Sequence, residues 1–340
     1  MQKTSHSHAH GLIDGKSILI TGGTGSFGRR FVERVLAGSR PRRVIVFSRD
    51  ELKQQEMRQS VRGGDSEPMR YFIGDVRDRD RLQRAFHDVD IVVHAAALKQ
   101  VPACEYNPIE AVLTNVMGAR NVVDAAIDQG VERVIALSTD KAVNPVNIYG
   151  ATKLCMEKLV VQANVYSGHG QKPSFACSRY GNVIGSRGSV VPIFQAQRDR
   201  GRITVTDRRM TRFWLTLDEG VDFVLHCLER MQGGEIFVPR IPSMRVMDLV
   251  SAMAPDCRVE FVGIRPGEKL HESLLSEDEA RHAVAFEDMY VILPEGELAP
   301  KSRAKGGDPL PEGFRYTSDN NRDWLSLQDL MSMLEQVTSA

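Results

Sequence analysis

The sequence predicts an α/β chain, a doubly wound parallel sheet followed by a smaller α+β C-terminal part. Three observations carry that expectation. From Lys16 to about Gly181, short β-branched runs alternate with longer helical segments. The runs are apolar at nearly every position, as strands covered on both faces are. A glycine-rich turn joins the first run to the first helix, as in a sheet built of right-handed β-α-β units.

Six runs read as strands: "SILIT" (17–21), "RVIVF" (43–47), "MRYFI" (69–73), "DIVVH" (90–94), "RVIALS" (133–138) and "SFACSRY" (174–180). The longest helical segments between them run from about 107 to 129 and from about 148 to 166. After about Gly181 the alternation loosens. "TLDEGVDFVLHCLER" opens on a capping-box pattern, Thr216 with Glu219, and continues at helical spacing. "RVMDLVSAMA" reads as a helix, and "RVEFVG" and "MYVILP" read as strands. The stretch "GELAPKSRAKGGDPLPEGF" is rich in Gly, Pro and charge and reads as a surface loop. No internal repeat is present. The expected organisation is a disordered leader or tag over 1–15, a nucleotide-binding core over 16–181 and a substrate-binding part over 182–340. Some later segments return to the core.

Length and composition bound the function. A chain of 340 residues suits one large domain or two coupled ones. Lys+Arg and Asp+Glu both total 44, so the balanced charge argues against bulk binding of nucleic acid or an anionic membrane. No run approaches the roughly 18 apolar residues that cross a bilayer. The N-terminal "MQKTSHSHAHG" lacks the apolar stretch of a signal peptide, and its alternating histidines read as a leader rather than a metal site. Cys104, Cys155, Cys177, Cys227 and Cys257 are scattered without metal-type spacing, as expected of reduced thiols in a cytoplasmic protein. No metal is expected.

The stretch "ILITGGTGSFGRRFVERVL" is strand, glycine turn and helix. Gly22, Gly25 and Gly28, with Ser26 and Phe27 between them, let the backbone approach a pyrophosphate at the start of a helix. The context makes this a dinucleotide site. Where an acid would hold the ribose 2′-hydroxyl of NAD, this chain has Ser48 and Arg49. A hydroxyl and a guanidinium suit a 2′-phosphate, so NADP is expected and NAD is the less favoured cofactor. "GDVRD" offers Asp75, with Val76 beside it, to the adenine, and Ala95 and Ala96 in "HAAALK" are small enough to pack beside the cofactor.

In "STDKAVNPVNIYGATK" (138–153), Tyr149 and Lys153 lie one helical turn apart on one face. A neighbouring ammonium and a cationic nicotinamide would favour the phenolate of Tyr149, and Lys153 can also reach a cofactor ribose. Thr139 can orient a substrate alcohol. Tyr-x-x-x-Lys alone is common by chance, but behind this glycine loop and just past the fifth strand it is specific.

With those residues the chain resembles the extended short-chain dehydrogenase/reductases of Rossmann type that act on nucleotide sugars. Within that superfamily it closely resembles the inverting 4,6-dehydratases of UDP-N-acetylglucosamine from the pseudaminic acid pathway. The motifs carrying the likeness are "TGGTGSFG", "SRDELKQ", "STDKAVNPVNIYGATK", "RYGNVIGSRGSVVPIF", "MTRFWLTLDEG", "GGEIFVP" and "GIRPGEKLHE". The resemblance implies redox-neutral lyase chemistry on UDP-N-acetylglucosamine: transient oxidation at C4, loss of water across C5 and C6, and return of hydride to C6. Such a sequence needs an acid and a base beyond Tyr149. The Asp-Glu pair of retaining relatives is replaced here by Asp140 and Lys141, read as the C6-hydroxyl acid and the C5 acid/base. A lysine base must be neutral, so its pKa is expected to fall through burial and nearby cations.

For the UDP-sugar, Asn182 follows the sixth strand where the superfamily contacts substrate. Val190 in "GSVVPIF" and Thr204 in "ITVTD" are candidates to enclose uracil. Arg212 and Arg265 are candidates for the diphosphate. Glu268 is a candidate for a ribose hydroxyl, and Lys99 is a lower-ranked substrate contact. Two other readings are weighed. A nucleotide-sugar epimerase needs no acid for water loss, and a redox-sensing regulator could dispense with Tyr149 and Lys153. Pairing through the two long helices would give a homo-oligomer, at least a dimer.

Overall fold

The computed structural model describes residues 10–61, 68–167, 172–185, 190–296 and 306–338. Six parallel strands form its centre: β1 (Ser17–Thr21), β2 (Arg43–Ser48), β3 (Met69–Ile73), β4 (Ile91–His94), β5 (Arg133–Leu137) and β6 (Ser174–Ser178). All six fall on the expected runs. Their spatial order is β3-β2-β1-β4-β5-β6, which continues through Ile236–Pro239, Met289–Ile292, Ala283–Ala285 and Asp308–Pro309. Ile236–Pro239 is parallel to β6, Met289–Ile292 is antiparallel to Ile236–Pro239, and Ala283–Ala285 is antiparallel to Met289–Ile292. The later half of the chain therefore extends the central sheet.

Strand order reverses between β1 and β4, which pair in register from Ile18 with Ile91 to Thr21 with His94. Crossovers leave that point in opposite directions, so a crevice opens beyond the carboxyl ends of the two strands. Two apolar clusters cover the sheet, one built around Leu19, Phe47 and Phe175, the other around Ile20, Phe31 and Phe237. Both-face burial holds for β1 but not for β3, where Arg70 is exposed and Ile73 is 48% exposed. β3 ends the sheet, so no neighbour covers its outer edge.

Two further differences have physical causes. The expected helix over 107–129 comprises Pro108–Ala111, a π-helical stretch Val112–Met117 and Gly118–Gln129, closed by Gly130 in the left-handed region at φ 68°. π-helical insertions inside α-helices recur at functional sites, and this one carries the buried Asn115. It accepts from the Leu98 N–H at 2.8 Å and donates to the Leu98 carbonyl and to Thr152 Oγ1. The loop carrying Lys99 is thereby tied to helix Ile148–Tyr166, which matches the expected span. Second, part of the expected leader packs on the core: His10–Ile13 is helical, Ile13 is buried in the second apolar cluster and Leu12 packs against it. Residues 1–9 lie outside the described residues, as does 297–305 of the Gly/Pro-rich loop.

The capping box at Thr216 and Glu219 starts helix Leu217–Arg230 as expected. Val246–Met253 is the expected helix, and Arg258–Phe261 is a strand paired with Arg202–Val205. A third apolar cluster around Trp214, Phe194 and Leu249 supports this part.

Candidate active site

One cleft of about 950 Å³ runs over the crevice from the glycine turn to the C-terminal part. At one end Gly22 adopts φ 66°, and a Cβ there would lie 2.9 Å from the Ala96 Cα. A Cβ on Gly28 would lie 2.5 Å from the Gly23 Cα, so the following helix can approach the turn only without side chains. Helix Ser26–Gly38 has Gly25 at its N-cap and no side-chain cap, which leaves its dipole end facing the cleft. Thr21 Oγ1 accepts from the N–H groups of Ala95 and Ala96, fixing the turn after β4. Gly22, Gly25, Ser26, Phe27, Gly28, Ser48, Arg49, Asp75, Val76, Ala95, Ala96 and Lys153 all line the cleft. This cradle fits a dinucleotide.

The two groups expected at a 2′-phosphate differ in availability. Arg49 is exposed and its Nη1 lies 3.3 Å from Asp75 Oδ2. Burial raises the pKa of Asp75, but its bonds to Arg77 and the charge of Arg49 outweigh this and hold the carboxyl below its ordinary value. Ser48 is buried and its hydroxyl accepts from Gln54 Nε2 at 3.0 Å, so it holds the turn. Lys53, which sequence reasoning missed, is a second cation on the cleft wall, paired with Asp50.

The floor is the turn after β5 and the start of helix Ile148–Tyr166. Asn147 caps that helix, accepting from the Gly150 N–H at 2.8 Å, and its amide donates to the Gly267 carbonyl at 2.7 Å. The catalytic helix and the "RPGEK" loop are thus joined by one side chain. Tyr149 is 8% exposed and hydrogen-bonded to Thr139. Burial pushes its phenol up to about 12, and the cation that opposes this is Lys141. Lys153 does not play that part. Its Nζ is directed to Met156 Sδ at 3.1 Å, and burial lowers its pKa to about 8. The cation that acts most on the phenol is therefore Lys141, an influence that the fourth-residue spacing of Tyr149 and Lys153 does not announce.

Lys141 also departs from expectation. Its Nζ lies 2.9 Å from Asp140 Oδ1 and 3.6 Å from Glu272 Oε1. Burial opposes its charge, but the two carboxylates outweigh burial and hold the pKa above the ordinary lysine value. Lys141 is an ammonium here, not a low-pKa amine. Asp140 is fully buried, does not line the cleft, and accepts from Thr139 Oγ1 at 2.8 Å as well as from Lys141. Its Oδ2 has no partner among the described residues. Direct contact between Asp140 and a sugar hydroxyl is therefore not provided, and Asp140 meets the cleft through Lys141 and Thr139.

Lys99, Asn182, Val190, Arg212, Arg265 and Glu268 line the other end. Thr204 does not. Its hydroxyl accepts from Gln197 Nε2 at 2.7 Å, on a strand facing helix Val190–Arg198. Residues 188–189 of "GSVVPIF" lie outside the described residues. Arg212 is not a free phosphate fork, because Nη1 donates to the carbonyls of Thr211 and Leu270 and Nη2 to that of Lys269. Its Nε lies 3.7 Å from Glu272 Oε1. Arg265 is exposed at the rim with its guanidinium unengaged by any carboxylate among the described residues. Glu268 accepts from the Arg265 N–H and shapes the loop. Lys269 and Glu272, both missed from sequence, line the cleft, and burial lowers the pKa of Lys269. No spacing rule aims either of them inward, since the strand pairing Ser273–Leu275 with Tyr316–Thr317 does so.

Residues 18–294 match the polysaccharide biosynthesis protein family. The chain belongs to that family. Among similar members is an inverting UDP-N-acetylglucosamine 4,6-dehydratase of Campylobacter jejuni, 50% identical over 335 residues, 96% of this chain and 99% of the relative. A UDP-glucose 4-epimerase of Rickettsia conorii is 43% identical over 94% of this chain and 95% of its own length. The X-ray structure of Pen from Bacillus thuringiensis superposes with a TM-score of 0.85 at 38% identity, over 96% of this chain and 98% of that one. A dTDP-glucose 4,6-dehydratase of Streptomyces venezuelae, DesIV, shares the fold, with a TM-score of 0.65 at 23% identity over 75% of this chain and 86% of its own. No described helix of this family member is long and apolar enough to cross a membrane.

Proposed function

We propose that the protein is a configuration-inverting UDP-N-acetylglucosamine 4,6-dehydratase, a hydro-lyase that produces the 4-keto-6-deoxy sugar nucleotide of L-arabino configuration. In this reading it makes the first intermediate of pseudaminic acid for surface or flagellin glycans. The observation that carries it is the hydrogen-bonded Lys141–Asp140 pair, 2.9 Å apart, beside Tyr149 at the floor of a dinucleotide-type cleft. The Campylobacter jejuni relative supports the substrate and the inversion. When bound, the nicotinamide supplies a reversible hydride acceptor.

Tyr149 acts as the phenolate, the form that the Lys141 charge and the Thr139 hydroxyl favour against burial, and takes the proton of the sugar 4-hydroxyl as C4 is oxidised; the resulting ketone acidifies the C5 hydrogen. Lys141 takes the C5 proton, a proton passes to the departing 6-hydroxyl, and water leaves. The ion pair does not contradict this. Moving one proton across the Lys141–Asp140 bond turns ammonium and carboxylate into amine and carboxylic acid, the base and acid that elimination requires. After C5 has given its proton to Lys141 and Asp140 has released its own through the Thr139 hydroxyl toward the 6-hydroxyl, the ion pair is restored. Lys141 has the direct contact, and Asp140 is its proton partner. Inversion requires the returning C5 proton to arrive on the opposite face.

For the cofactor we favour NADP, on the strength of Arg49 and Lys53 along the cleft wall. Titration with each dinucleotide tests this: Arg49→Glu should weaken NADP binding at least tenfold and leave NAD nearly unchanged. Arg265 and Lys269 are the diphosphate candidates, with Asn182 and Val190 toward the nucleoside. The organisation into a core over 16–181 and a substrate part over 182–340 belongs to the same reading, as does cytoplasmic location, which the scattered free cysteines suit. Incubation with UDP-N-acetylglucosamine in deuterated water, followed by NMR, tests the whole. Deuterium at C5 and an L-arabino 4-keto-6-deoxy product are expected. A 4-epimer with intact C6 would make the protein an epimerase instead.

A further inference from the structure

Glu272 is a buried carboxylate that the scheme above leaves without a task. Its N–H donates to Ser318 Oγ at 2.9 Å and its carbonyl accepts from the Ser318 N–H at 2.8 Å. The side chain is thus held by the C-terminal part, whereas Lys141 sits on the turn after β5. Glu272 Oε1 is shared between Lys141 Nζ at 3.6 Å and Arg212 Nε at 3.7 Å. Its Oε2 is buried with no hydrogen-bond partner among the described residues. A carboxylate oxygen left so costs stability, which favours a role beyond packing.

Lys141 therefore has a carboxylate on each side, Asp140 from its own turn and Glu272 from the opposite wall. Both are needed at one point of the reaction. When the C5–H bond breaks, its electron pair stays on the sugar as an enolate and its proton goes to Lys141 Nζ. Asp140 is still a neutral acid at that moment, because it gives up its proton only as the C6–O bond breaks and water departs. In that interval Glu272 is the remaining carboxylate beside the new ammonium. We propose that Glu272 is a positioning residue for the C5 proton transfer, holding Lys141 against the cleft wall and balancing its charge until Asp140 is again ionised. The proposal rests on the dehydratase reading and on Lys141 as the C5 base. The other groups around Lys141 are Arg212, Lys99 and Lys269, which repel its charge, and the phenol of Tyr149.

The test uses full-length Glu272→Gln and Glu272→Asp with bound dinucleotide, turning over UDP-N-acetylglucosamine in deuterated water. Glu272→Gln should lower kcat by roughly tenfold or more with little change in KM, since only a step after binding is affected. Reduced-nicotinamide absorbance should build up during a single turnover, because C4 oxidation proceeds while C5 proton removal lags. The limb on which activity rises with pH should move to lower pH, and Glu272→Asp should move it back. Unchanged kcat and pH limb would overturn the proposal, as would equal slowing of oxidation and elimination. Failure of Glu272→Gln to fold would also overturn it, by making the carboxyl a structural anchor. If the unmodified protein makes no 4-keto-6-deoxy product, the parent reading has failed instead.

Discussion

At the residue scale, chemistry is concentrated in side chains whose charge depends on neighbours far away in sequence. Lys141 is the clearest case, a lysine kept cationic by Asp140 beside it and by Glu272 from the other half of the chain. Lys141→Ala should abolish dehydration while dinucleotide binding persists, checked by product NMR and cofactor titration; near-normal turnover would remove Lys141 from the chemistry. His94 shows the same dependence in a stability term. Its Nδ1 lies 2.8 Å from Thr21 Oγ1, and burial together with Lys153 lowers its pKa from 6.5 to about 3. The folded pKa is depressed, so the unfolded chain binds the extra proton between those values. Stability from this residue is complete above pH 6.5 and is lost as pH falls toward 3. Thermal melts of His94→Gln should show a smaller drop between neutral and acid pH than the parent protein.

Among elements, helix Ile148–Tyr166 is the part on which most of the site depends. Its first turn packs on the backbone of the Lys141 turn: a Cβ on Gly150 would lie 2.1 Å from the Lys141 carbonyl oxygen. Gly150→Ala must push that turn away, so kcat should fall by roughly a hundredfold, as an ångström-scale misplacement can cause. Circular dichroism should stay native, and kcat matching the parent would show that the turn tolerates displacement. Further along, Glu157 receives Arg179 Nε at 2.7 Å and Nη2 at 2.6 Å, and Glu279 receives the same guanidinium at 2.7 and 3.0 Å. This triad, in which Glu157 and Arg179 are fully buried, joins the helix to the end of β6 and to the capped turn at Ser276. Spacing shows the amphipathic helix but gives no hint that Arg179 lies beneath it.

For the whole molecule, pairing through the long helices is the expectation that exposed apolar side chains motivate. Tyr106, Ile109 and Leu113 on one segment, and Leu159 and Tyr166 on helix Ile148–Tyr166, are exposed, with Ile109 at 67% and Tyr166 at 72%. Contiguous exposed apolar patches are where proteins associate, so these side chains are the ones to substitute. If the expected dimer forms, Ile109→Glu together with Tyr166→Glu should convert it to a monomer in sedimentation velocity; a monomeric parent protein would overturn that expectation.

The six parallel strands, the glycine turn and the Tyr149–Lys153 helix were legible because each is a local pattern. Apolar runs, glycine spacing and helical periodicity act within windows of about 18 residues, less than one β-α-β unit. Gly22, Arg49, Asp75 and Tyr149 could be placed on the cleft by that logic alone. Ser48 and Arg212 line the cleft as expected and Thr204 does not, but the polar tips of all three are engaged by Gln54, three backbone carbonyls and Gln197, partners that no spacing announces. Lys153 turned to Met156, and Lys141 gained Glu272 from 131 positions further along the chain. Which residues could do chemistry was settled by residue type and local period. Which of them carry charge, and which face the cleft, depends on burial and on long-range ion pairs, and these arise only when distant segments pack together.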